Sequence, residues 1–142
     1  MNRALKNIEK DILHILKGHS QIIAAYLFGS YARGKPTPLS DIDIAILINR
    51  QDSNKANNLN FEFQVESELL CQLPEYSFDV RNLNDAPILI QGKIITEGRL
   101  LLVKDQRNLS DFVEYVIPRY LDFKIDYDFL LNNQYQAHLN GR

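Results

Sequence analysis

Phe28-Gly29-Ser30-Tyr31-Ala32-Arg33-Gly34-Lys35-Pro36-Thr37-Pro38-Leu39-Ser40-Asp41-Ile42-Asp43-Ile44-Ala45-Ile46-Leu47 decides how this chain is read. An apolar run from Ile22 to Phe28 predicts a buried strand that breaks at Gly29-Ser30. A polar loop with prolines follows, and a second strand opens with Asp41 and Asp43. Side chains alternate along a strand, so these two aspartates share one face, while Ile42, Ile44, Ile46 and Ile48 supply a core to the other.

Two carboxylates this close repel unless a cation or a proton lies between them. Hard oxygen ligands on a rigid element suit Mg²⁺. The plainer alternative is a strand that starts in solvent, with both aspartates facing water. Gly29, directly after a strand, permits an unusual backbone angle and close approach of a ligand. Ser30 is expected to cap a short helical turn over residues 31–33, and such a turn offers N–H groups to phosphate. A phosphate cradle and a carboxylate pair therefore fall at the ends of two successive strands.

The remaining chain sets bounds. Its 142 residues suit one domain, and a net charge of −2 gives no global attraction to nucleic acid. A single cysteine, Cys71, cannot close an internal disulfide; it suits a reducing, cytoplasmic setting and, among apolar neighbours, is expected in the core. No signal core or bilayer-length apolar run is present in this sequence, so no membrane role is expected. Residues 2–17 predict an amphipathic helix ended by Gly18, with Leu5, Ile8, Ile12, Ile15 and Leu16 on its apolar side. His14 and His19 lack metal-ligand spacing and read as surface or helix-end residues. A polar loop over 49–57 leads to a helix over about 55–72, with Phe61, Phe63, Val65, Leu69 and Leu70 as apolar members and Pro74 as its stop.

Residues 76–83 alternate as a half-buried strand, and Asp79 occupies its middle, expected beside the Asp41–Asp43 strand. A buried aspartate there needs a metal or a cation; an ion pair with Arg81 would also serve. Asp85 is expected to cap a short helix over 88–96, and 99–104 to form an edge strand. Residues 108–136 predict a helix capped by Ser110 and kinked or split at Pro118, with a frayed end from 132. Tyr115, Tyr120, Phe123, Tyr127, Phe129 and Tyr135 make this end aromatic, to finish the core or to meet a partner.

Gly29-Ser30, ten residues, then Asp41-x-Asp43 resembles the signature of the polymerase-β-like nucleotidyltransferases. The flanks Tyr26 to Gly34 and Ser40 to Asp43 are most similar to the minimal nucleotidyltransferase (MNT) branch. The likeness covers roughly residues 22–104. It implies an α/β (α+β) fold with a small mixed sheet flanked by helices, a transferase domain over 1–104, and a C-terminal helical extension over 105–142 within the same globular unit. It further implies ATP as substrate, Mg²⁺ on Asp41, Asp43 and Asp79, and nucleotide contacts from Gly29, Ser30, Arg33 and Ser40. MNT proteins of this size look like antitoxins that transfer AMP to a tyrosine of a cognate HEPN-domain ribonuclease toxin. The residues themselves support nucleotidyl transfer without naming the acceptor. A small molecule or RNA acceptor, and a non-catalytic toxin-binding antitoxin, stay open. Gly29 to Lys35 also fits Gly-x-x-x-x-Gly-Lys, but Pro36 stands where a P-loop needs Ser or Thr, which excludes that reading.

Overall fold

The computed structural model describes residues 3–49 and 55–139, with side chains of residues 3–5, 55–60, 135 and 137–139 left aside. The two apolar runs form β1 (Ile22–Phe28) and β2 (Ile42–Ile48), antiparallel neighbours in the middle of a four-stranded sheet. β3 (Phe78–Asn82) lies parallel to β2, and β4 (Arg99–Val103) antiparallel to β1, so the order is β3-β2-β1-β4. Parallel neighbours need a crossover, which α3 (Lys55–Gln72) supplies. The mixed sheet between helices is the expected fold class, and β4 is the expected edge.

Alternation along the strands builds two cores. Ile42, Ile44 and Ile46 of β2, with Ala25 and Leu27 of β1, pack under α1 (Arg3–Lys17) and α3 through Ile12, Leu16, Val65 and Leu69. On the opposite face Ala24, Tyr26, Ala45 and Leu47 meet Ile94 of α4 (Ile88–Glu97) and Leu109 of α5 (Gln106–Leu139). Each fully buried aliphatic side chain contributes about 1.5–3 kcal/mol. Asn84 clasps the end of β2: its Oδ1 accepts from the Ile48 amide at 2.8 Å and its Nδ2 donates to the Ile48 carbonyl at 2.9 Å.

Several local expectations change. Cys71 is exposed, because two positions beyond the fully buried Leu69 the helix has turned about 200°. Phe63 and Leu70 are exposed as well. Pro87, not Asp85, stands at the start of α4; Asp85 ends a 3-10 turn and accepts from Asn82 Nδ2 at 3.3 Å. α5 begins earlier than Ser110, with the Asp105 carboxylate accepting the Asn108 amide at 3.1 Å. Pro118 is exposed and α5 passes it as one helix. The helix also continues past 132, through Leu139, and residues 140–142 lie outside the described set. Of the loop expected over 49–57, residues 50–54 lie outside the described set and 55–57 already belong to α3. The expectations on Leu5 and the Tyr135 ring also fall outside the described side chains. His19 is a helix-end residue, as expected, with Nε2 3.0 Å from Glu68 Oε2.

Candidate active site

Strand register creates the site. Phe28, the last residue of β1, pairs with Asp43, and Asp43 pairs with Asp79 across the parallel β2–β3 ladder. In-register neighbours point to the same side of a sheet. Phe28, Asp43 and Asp79 therefore form one row facing the α4 side, with Arg81 two residues further along β3. Gly29 follows Phe28 at φ +73°, and a Cβ there would collide with the Asp43 carboxylate. The glycine serves backbone conformation and side-chain approach together.

The turn after β1 is α2 (Gly29–Ala32). It starts at Gly29, with Phe28 as the preceding residue and no side-chain cap, so Ser30 sits inside the turn rather than capping it. The Ser30 carbonyl accepts from the Lys35 amide at 3.0 Å. Ser40, implied as a nucleotide contact, is hydrogen-bonded within its own loop. Its Oγ accepts from the Thr37 amide at 2.8 Å and lies 3.0 Å from Thr37 Oγ1.

Like charges crowd the row, and arginines offset them in part. Burial, then the negative charges of Asp79 and Asp41, push the Asp43 carboxyl above its ordinary range, and Arg81 and Arg33 partly offset this. Asp79 accepts from Arg81 Nε at 3.3 Å, so the ion-pair reading of Asp79 is realised. Asp41 is exposed just ahead of β2 and acts on Asp43 through its charge. Glu62 of α3, which the sequence did not single out, is also held above the usual carboxylate range, chiefly by burial; a hydrogen bond with Asn82 opposes the shift and Asp79 adds to it.

Beside this row lies a cleft of about 730 Å³, the size of a small-ligand pocket. Gly29 and Arg33 line one wall, and Ile90, Lys93 and Ile94 of α4 line another, with Arg81 also contributing. Glu97 of α4 also lines the cleft, so three cations and one carboxylate surround an apolar shelf, a balance that suits an anionic ligand carrying a flat ring. Lys93 and the α4 isoleucines were missed in the sequence, and Arg81 was named there only as an ion-pair partner for Asp79. The available signal was Lys93 as the one cation of the ten-residue helix α4.

Among the described residues, no three His, Cys, Asp or Glu side chains are gathered as a ready ligand set. The donor chemistry nevertheless fits a hard divalent cation. Asp43, part-buried, feels the negative charges of both Asp79 and Asp41, a repulsion that such an ion would relieve.

A sheet of this order, with acidic residues heading β2 and facing them from β3, has the architecture of a nucleotidyltransferase. The chain belongs to the polymerase beta nucleotidyltransferase family, whose model matches residues 10–107. It is similar in structure to a chain of a MntA–HepT toxin–antitoxin variant complex (TM-score 0.71, 22% identity, 88% of this chain and 96% of that one). A toxin–antitoxin structure with AMP-PNP gives a TM-score of 0.70 at 24% identity, covering 88% of this chain and 96% of the other. The tri-AMPylated Shewanella oneidensis HEPN toxin in complex with MNT antitoxin gives 0.66 at 22% identity, covering 90% and 96%. No curated protein sequence matches this chain. Among the described residues no helix is long and apolar enough to cross a membrane.

Proposed function

We propose that this chain is an antitoxin that transfers AMP from ATP to a tyrosine of a cognate HEPN ribonuclease toxin in the cytoplasm. The observation that carries the reading is the register row Phe28–Asp43–Asp79, which sets two carboxylates beside a cleft that Phe28, Gly29, Arg33, Arg81 and Lys93 help to line. Its likeness to solved complexes with AMP-PNP and with an AMPylated HEPN toxin supports the choice of nucleotide and acceptor.

In this reading the α4 isoleucines bed the base, and Arg33, Arg81 and Lys93 compensate phosphate charge. The Gly29-Ser30 turn orients the triphosphate. Asp41, Asp43 and Asp79 would hold Mg²⁺, which when bound supplies positive charge to phosphate oxygens and acidifies a hydroxyl. The tyrosine oxygen attacks the α-phosphorus, the bond from that phosphorus to the bridging oxygen breaks, and pyrophosphate leaves with the electron pair. Asp79 accepts the phenolic proton. Positioning and charge compensation do most of the work in such a step. Residues 1–104 are the transferase unit, and 105–142 the extension, whose helix α5 serves the partner.

The test is labelled ATP with Mg²⁺ and the HEPN protein encoded beside this chain. Label is expected on a partner tyrosine and is lost in Asp41→Ala with Asp43→Ala. Neutralisation that survives the double substitution would instead establish an antitoxin acting by contact alone, and label on a free small molecule or RNA would replace the acceptor.

A further inference from the structure

α5 leaves the body of the protein with two uncovered apolar faces. Its first half is seated: Leu109, Val116 and Tyr120 are buried, and Tyr120 occupies the space over Gly92 of α4. The same side of the helix continues through Phe123, Tyr127 and Leu130, but the body ends and these are 43%, 43% and 60% exposed. The rings of Phe123 and Tyr127 stack with centroids 6.3 Å apart. At about 100° per residue, Leu121, Ile125 and Phe129 fall roughly 170° around the helix from that stripe. They too are exposed, at 50%, 67% and 64%. Asp122 and Asp126 run down one flank between the stripes, Lys124 and Asp128 down the other. Three aspartates against one lysine leave the segment acidic.

We infer that residues 121–131 are received in a groove of a partner protein that encloses the helix on both sides, with apolar walls and basic rims. This rests on the proposed function only in taking the partner to be the protein that brings the acceptor. A second copy of this chain fits poorly: a two-fold helix pair buries one self-complementary seam on each helix, leaving the opposite stripe in water and setting acidic flanks together. A single flat partner surface also covers only one stripe. A groove between two helices, or between two subunits of the partner, covers both.

The test titrates the full chain with the HEPN-domain protein encoded beside it. Ile125→Asp breaks the back stripe and Tyr127→Asp the front one. Each alone is expected to weaken binding at least about 30-fold, the effect of losing a hot spot, with AMP-PNP affinity and thermal stability unchanged. Hydrogen exchange on the unsubstituted chain should slow across 121–131 when the partner is added. Binding lost with Tyr127→Asp but retained with Ile125→Asp overturns the enclosing groove, as does dimerisation of the isolated chain through this segment. Unaltered exchange, or no binding at all, overturns it too. AMP transfer is read in parallel: intact binding without transfer refutes the adenylyl reading and leaves the groove standing.

Discussion

The Asp43 carboxylate occupies the space that a Cβ on Gly29 would fill. Gly29→Ala therefore meets two obstacles: the collision itself, and a φ of +73° that costs an L-residue roughly 1–2 kcal/mol. The expected outcome is a loss of about 2–3 kcal/mol in denaturant unfolding, with AMP transfer down at least about 100-fold through displacement of Asp43. A variant with full transfer activity would show that Asp43 need not sit where it does.

Asp43 also sets a pH dependence. Its folded carboxyl binds a proton more tightly than the ordinary group at 3.8. The corresponding stability is present below that value and lost as pH rises through the raised folded value. At neutral pH the ionised group is thus a net cost. Asp43→Asn should raise stability by about 0.5 kcal/mol at pH 7, a small gain because the site is part-exposed and screened, and by nothing at pH 3. Thermal melts across that range check it. Magnesium nucleotide should then stabilise the parent chain and not the variant.

Lys93 offers the cleanest probe of the cleft, since it is solvent-exposed and lines the wall that α4 supplies. Lys93→Ala should weaken AMP-PNP binding about tenfold, corresponding to one charge-assisted hydrogen bond of roughly 1.5 kcal/mol. Calorimetric titration measures it, and the melting temperature should not move.

Gly92 tests the seat of α5. A Cβ there would overlap the Tyr120 ring, so Gly92→Ala should cost about 1–3 kcal/mol by overpacking. Gly92→Ala combined with Tyr120→Leu should recover part of that loss, as chemical denaturation would reveal.

The strands and the carboxylate row were legible because both follow from period-two alternation: Ile42, Ile44 and Ile46 announce the buried face, and so place Asp43 opposite them. Asp79 was legible as a carboxylate between Phe78 and Val80. Helix faces were harder. Cys71 follows Leu69 and Leu70, and only the rotation of α3 shows that it points outward. In α4 the isoleucines recur at positions 88, 90, 94 and 95, so nothing local separated Ile90, on the cleft wall, from those that only fill the core, and Lys93 was the one cation to follow. Caps failed for a similar reason: Ser30, Asp85 and Ser110 are all suitable residue types, but the start of each helix was fixed by strand ends and by Pro87 or Asp105.

The parallel pairing of β2 with β3 has an evolutionary corollary. Asp43 and Asp79 meet through the ladder, so the length of chain between Asn49 and Ser77 does not enter their separation. Insertions or deletions ahead of α3 can accumulate there without disturbing the chemistry. Spacing along the primary structure is therefore a poor ruler for finding the third carboxylate in distant members of this family, and the residue that faces the second aspartate across the sheet is the better guide.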